Sequence, residues 1–179
     1  MATKTRTNTV YYTVTDTPFG PMLIAGHGRI LVALKFHVDE RKLDGPLAQV
    51  ERELGSRYGL VRDDDAVALI AAQVREYLAG ERTRFELKTD ISYVTPFRRS
   101  VLEACAAIPR GKTSTYADLA RQVGRPAASR AVGQTMATNP IPIVIPCHRV
   151  LGSGGKLHGF GGGLDMKAKL LALEGVSVA

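Results

Sequence analysis

The sequence predicts an α+β protein: a small N-terminal α/β domain with antiparallel strands, then a mostly helical C-terminal domain that contains a helix-turn-helix. Three observations predict it. Short β-rich runs separated by turn residues fill the first third. Apolar residues at helical spacing dominate the remainder. The character of the chain changes near residues 85–95, which gives expected domains of 1–90 and 91–179. A chain of 179 residues has room for one ordinary domain or two small ones packed together.

Val10 to Thr15, Met22 to Ala25 and Leu31 to Phe36 are the β-rich runs. Pro18-Phe19-Gly20-Pro21 and Gly26-His27-Gly28-Arg29 lie between them as turn signals, so an antiparallel meander is expected. A helix is expected from Pro46 to Tyr58. Asp63-Asp64-Asp65 is expected to cap a second helix, with Val67, Ile70, Ala71, Val74 and Leu78 at helical spacing and Gly80 as its stop. Thr95-Pro96 sets a cap before a proline at the first helical position, and Phe97, Val101, Leu102 and Ile108 follow. Pro109-Arg110-Gly111 closes that helix. Ser114 or Thr115 starts the next, Tyr116 to Val123. After the turn Gly124-Arg125-Pro126, a helix is expected from Ala127 to Thr138, with Ala131, Val132, Thr135 and Met136 near one face. Two short helices around a tight glycine-containing turn fit a helix-turn-helix, a pattern that many helical hairpins share without binding anything. Asn139 to Pro146 carries three more prolines and reads as extended. Gly152 to Gly163 holds seven glycines in twelve residues, which marks a loop, and a last helix is expected from Asp165 to Glu174.

Composition narrows the function classes. Hydrophobic residues make up 45 % and charged residues 23 %, the balance of a soluble globular protein. No apolar run approaches the roughly 20 residues needed to span a bilayer. Met1 to Asn8 lacks the apolar stretch and cleavage site of a secretory signal, so the expected compartment is the cytoplasm. The net charge of +7 suits a polyanionic partner such as nucleic acid, although a basic protein need not bind one.

The two cysteines sit in different settings. Cys105 lies in an apolar helical run and reads as a small core residue. Cys147 follows the rigid Pro-rich segment and precedes His148 and Arg149. Positive charge or a neighbouring base promotes the reactive thiolate, so a nucleophile is one reading. A buried cysteine that merely packs after a strand is the other, because neighbours in a strand point opposite ways. The histidines His27, His37, His148 and His158 show no metal-ligand spacing with the two cysteines, so neither a metal nor a cofactor is expected. Gly155-Lys156 is followed by Leu157 rather than Ser or Thr, and the phosphate-loop pattern fails.

Taken in order, these segments resemble the O6-alkylguanine-DNA alkyltransferase (methylated-DNA–protein-cysteine methyltransferase) family. The resemblance rests on Pro146-Cys147-His148-Arg149-Val150 preceded by Asn139-Pro140 and Ile143-Val144-Ile145. Ile108 to Tyr116, Ser129 to Gly133, Gly161-Gly162-Gly163 and Leu170 to Gly175 extend it, so it covers roughly residues 95–176. It implies a ribonuclease H-like N-terminal domain. It also implies DNA repair by a single irreversible transfer of the alkyl group from O6-alkylguanine, with O4-alkylthymine as a further lesion, to Cys147 after the nucleotide is flipped out.

The resemblance implies residue roles as well. Cys147 is the acceptor, His148 removes its proton through a water, and Glu174 orients His148. Tyr116 faces the flipped nucleotide and stabilises the departing guanine. Asn139 braces the turn before the acceptor segment. Arg130 fills the gap in the duplex, with Ser129, Ala128, Ser153 and Arg125 as further contacts to double-stranded DNA through the minor groove. Val150, Phe160 and Gly161 form the base pocket. A monomer is implied, with cooperation along DNA left open. Departures from the family's pattern are Leu102 for a common Trp, Arg98 for Gln, Phe160 for Tyr and Gly161 for Ser. Two other readings are a damage sensor that binds alkylguanine without transfer, and a cysteine hydrolase that turns over repeatedly.

Overall fold

A computed structural model describes residues 8–178. The segment read for an export signal lies, apart from Asn8, outside the described residues. The chain folds as two units, one up to Tyr93 and one from Val94.

The first unit is built on a mixed sheet. β1 (Asn8–Thr15), β2 (Met22–His27) and β3 (Ile30–Phe36) form the expected antiparallel meander. β4 (Tyr58–Arg62) joins the outer edge of β1 in parallel, and β5 (Lys88–Thr89) joins β3 in parallel, giving the order β4-β1-β2-β3-β5. The central β2 is buried from Met22 to Gly26, so both of its faces are covered. α1 (Asp44–Leu54) contributes Val50 and Leu54 to a core with Val10, Leu23, Ala25 and Val32.

The expected helix 46–58 therefore needs correction. It starts at Asp44 and stops at Leu54, because Gly55 takes φ +78° and its N–H closes on the Glu51 carbonyl. The chain is then free to enter β4 at Tyr58. The aspartates 63–65 also differ from expectation. α2 (Ala68–Leu78) has Val67 at its cap position with no side-chain cap. Asp63 instead accepts from the Ala66 N–H one turn earlier, and Asp64 accepts from the Thr13 hydroxyl at 2.7 Å.

The second unit packs α3 (Pro96–Ala106), α4 (Tyr116–Gln122) and α5 (Ser129–Ala137) around Val101, Leu102, Leu119, Val132 and Met136. Pro96 occupies the first turn of α3, and Thr95 caps by position only. Thr115 forms a full capping box with Asp118 and fixes the start of α4. α5 begins two residues later than expected, at Ser129, and Ala131 is exposed rather than on the buried face. Cys105 is fully buried, as a core residue should be. α6 (Leu164–Leu173) closes the unit through Met166, Leu170 and Leu171.

One short feature positions the site. β6 (Ser114–Thr115) pairs in parallel with β7 (Val150–Leu151), in the register Ser114↔Val150 and Thr115↔Leu151. β6 leads directly into Tyr116 at the start of α4, and β7 follows directly on Arg149. Two residue pairs thus bring the start of the helical hairpin alongside the PCHR segment.

Candidate active site

The approach to Cys147 is held by Asn139. Its Oδ1 accepts from the Ile141 N–H at 3.0 Å, and its Nδ2 donates to the Ile145 carbonyl at 2.9 Å. Between these anchors the Ile145 N–H donates to the Ile141 carbonyl at 2.9 Å. Ile143 sits at φ +74°, an outlying conformation for a β-branched residue that costs about 1–3 kcal/mol. The asparagine clamp and the full burial of Ile141 and Ile143 hold the strained loop in place.

Cys147 opens a single 3-10 turn, Cys147–Arg149. Successive side chains leave such a turn about 120° apart, so the strand argument against Cys147 and His148 acting together does not apply. Burial pushes the Cys147 thiol pKa up. The Asn139 side-chain hydrogen bond, the Lys167 charge and the N–H groups of Cys147 and His148 oppose this without overcoming it. The resting sulfur therefore keeps its proton, and thiolate chemistry needs a base.

His148, the next residue in the chain, is the candidate for that base. Its Nε2 lies 2.6 Å from Glu174 Oε1, and both side chains are fully shielded. A carboxylate only accepts, so Nε2 carries the hydrogen and donates it. Burial drives the His148 pKa down, and the pull of Glu174 in the other direction is smaller. The ring is therefore neutral and Nδ1 bears the lone pair. Nδ1 is buried and has no hydrogen-bond partner among the described residues. Glu174 is itself gripped by Arg149, from Nε to Oε2 at 2.7 Å and from Nη2 to Oε1 at 3.0 Å. Arg149 Nη1 reaches the Ile108 carbonyl at 2.5 Å. The carboxylate thus has fixed positions for both oxygens, which fixes the imidazole in turn.

A cleft of about 450 Å³ opens beside β6, walled by Tyr116, Ser129, Arg130, Ser153, Gly152 and His158 among others. Tyr116 is half-buried, and that burial raises its phenol pKa, so the hydroxyl stays a neutral donor. Arg130 is exposed on α5. Ala128 is the cap position of α5 and Arg125 is exposed in the preceding turn, and neither lines the cleft. Nor do Cys147, Val150, Phe160 and Gly161 line it. The Phe160 ring stands edge-on to His148 at 6.4 Å between centroids, and Gly161 is exposed. Val150 is fully buried; its N–H donates to the Cys147 carbonyl and its own carbonyl accepts from Lys167. Among the described residues no group of three or more His, Cys, Asp or Glu could hold a metal ion. No helix there is long and apolar enough to cross a membrane.

The sequence models of the 6-O-methylguanine DNA methyltransferase DNA binding domain and ribonuclease-like domain match residues 96–176 and 10–91. This chain belongs to the 6-O-methylguanine DNA methyltransferase family. It is 42 % identical to the methylated-DNA–protein-cysteine methyltransferase of Mycobacterium leprae, over 89 % of this chain and 88 % of that one. Identity to the Methanosarcina acetivorans protein of the same name is 40 %, over 93 % and 99 %. The crystal structure of Mycobacterium tuberculosis O6-methylguanine methyltransferase superposes with a TM-score of 0.76 at 38 % identity, covering 92 % of each chain. A Mycobacterium tuberculosis OGT in complex with DNA gives 0.75, with the same identity and coverage.

Two departures from the methyltransferase pattern have a visible place. Leu102 is fully buried in the α3 core. Arg98 donates from Nη2 to the Thr138 carbonyl at 2.7 Å and to its hydroxyl at 3.1 Å, fastening the end of α5. Sequence reasoning missed Lys167, which is fully buried, and His158, which lines the cleft. The signal for Lys167 was present: it sits three and four residues before Leu170 and Leu171, on the apolar stripe of α6.

Proposed function

We propose that this chain repairs DNA by moving the alkyl group of O6-alkylguanine onto its own Cys147, once per molecule. The observation that carries this reading is the protonated, buried Cys147 next to a neutral His148 whose Nε2–H is locked by Glu174, in a chain of the methyltransferase family. The O6 substituent is out of reach inside stacked DNA, so the nucleotide is flipped out, at a cost of a few kcal/mol. Arg130 stands on the exposed face of α5, where it can enter the duplex and offset the lost stacking. Ala127, Ala128 and Ala131 beside it have no bulk to hold the helix away from a minor groove. Ser129, Ser153 and Arg125 add polar contacts to the strand.

In the transfer step, His148 Nδ1 takes the thiol proton through a water. The sulfur lone pair attacks the alkyl carbon as the carbon–O6 bond breaks. The electron pair leaves with the guanine, where the neutral Tyr116 hydroxyl donates a hydrogen bond to the developing anion. The departing guanine anion then takes up a proton and His148 gives up the one it accepted, so the products are a thioether, an unmodified base and a neutral His148. The base-pocket roles of Val150, Phe160 and Gly161 follow from the family resemblance; Val150 is fully buried, with its carbonyl held by Lys167. The sensor reading is disfavoured because Cys147 supplies the acceptor that such a protein does without. The test is to incubate the protein with duplex DNA carrying a labelled O6-methylguanine. Label on the Cys147 peptide, at no more than one per molecule, is expected. A folded, DNA-binding sample that acquires none excludes the repair reading, and repeated turnover excludes the single-use one.

A further inference from the structure

Lys167 is a fully buried charged side chain that the transfer step above does not use. Its Nζ donates to two backbone carbonyls, Val150 at 2.7 Å and His158 at 2.7 Å. Val150 lies in β7 just before the Gly-rich loop 152–163, and His158 lies within that loop, which contributes Gly152, Ser153 and His158 to the cleft wall. Val150 belongs to the acceptor side, because its N–H is bonded back to the Cys147 carbonyl. His158 belongs to the cleft side, because it lines the cavity together with Tyr116 and Arg130. That ring is seated against Gly152, where a Cβ would lie 2.2 Å from His158 Cδ2 and 2.9 Å from Nε2. His158 is thus located twice, at its carbonyl by Lys167 and at its ring by the bare Gly152 backbone.

A buried ammonium is costly, and here burial draws its pKa down to about 8 against the opposing pull of Cys147 and Cys105. Methionine would fill a similar volume without that cost. What lysine adds is a pair of hydrogen bonds across the loop and a positive charge that favours the Cys147 thiolate. We infer that Lys167 is a positioning residue for the transfer: its ammonium clamps the Gly-rich loop at His158 to the acceptor segment at Val150, and so fixes one wall of the cleft relative to that segment. The inference rests on the reading of Cys147 as alkyl acceptor.

The test compares the full chain with Lys167→Met and Lys167→Gln, whose amide is one bond too short to span both carbonyls. Three quantities are measured: affinity for undamaged duplex, the single-turnover rate on O6-methylguanine duplex, and backbone hydrogen exchange along the chain. Both variants should bind duplex within twofold of wild type, since α5 is untouched. Transfer should slow on the order of tenfold or more, as a misplaced reacting geometry does. Exchange should rise in residues 152–163 and stay unchanged in α5. A folded variant with wild-type transfer and an unchanged loop overturns the clamp, as does a uniform rise in exchange across the unit with weaker DNA binding. If Met disrupts folding, the polar Gln variant decides. A wild-type protein that takes up no methyl, while the variants still loosen 152–163 alone, overturns the acceptor reading and leaves the clamp standing.

Discussion

Glu174 Oε1 lies 2.6 Å from His148 Nε2, and neither side chain is exposed to solvent. The same carboxylate binds Arg149, so one buried anion holds both the His148 imidazole and a neighbouring cation. Glu174→Ala removes the anion from both. Breaking a buried pair by deleting one partner costs about 3–5 kcal/mol. We expect a loss of that order in denaturant unfolding, with transfer strongly slowed in whatever folds. Unchanged stability would show that the pair does not hold the second unit together.

The state of His148 gives a pH prediction. Its folded pKa is depressed, chiefly by burial, while the unfolded chain titrates near 6.5. The unfolded state therefore binds the proton first as pH falls. The stability linked to this group is present above about 6.5 and is lost as pH falls through the lower folded value. Transfer should follow the folded value. Single-turnover rates should show no His148-linked fall at 6.5 and decline only at lower pH. A decline centred at or above 6.5 would mean that His148 titrates as an exposed histidine does.

Arg130 stands on the cleft wall and on the exposed face of α5. If it supports the flipped state, Arg130→Ala should slow repair of duplex on the order of tenfold and leave reaction with the free alkylguanine base near wild type. Rates on the two substrates separate these outcomes. Equal losses would move Arg130 from flipping to the chemistry or to the fold.

Tyr116 enters the cleft from the first turn of α4, and its phenol is held neutral by burial. Tyr116→Phe keeps the ring and removes the donor. Transfer should slow by roughly 10- to 100-fold, the range of a lost donor to a developing anion, with the melting curve unchanged. A wild-type rate would take the hydroxyl out of the reaction.

How far the sequence carried depended on how local each feature is. The β1–β2–β3 meander was legible because turn residues stand between the strands. The starts of α3 and α4 were legible because Pro96 and Thr115 act on their own neighbours. β4, β5 and the β6–β7 pair were not, since a parallel ladder joins segments far apart in the chain and leaves little local mark. The end of α1 was overrun because the apolar spacing continues to Tyr58 past Gly55. In the site, local chemistry marked Cys147 as one candidate nucleophile and the family resemblance added Glu174, whereas the 2.6 Å contact of His148 with Glu174 joins residues 26 apart and needed the fold. Lys167 escaped because a lysine at the end of a chain reads as solvent-exposed until a helix turns it inward.

The central claim is that Cys147 is a consumed acceptor. The mass of the intact protein, measured before and after exposure to excess O6-methylguanine duplex, tests it most directly. One methyl should replace one hydrogen on every molecule, the modification should map to Cys147, and Cys147→Ser should gain nothing. An unchanged mass in a protein that binds the duplex, or a methyl found on Cys105, would contradict it.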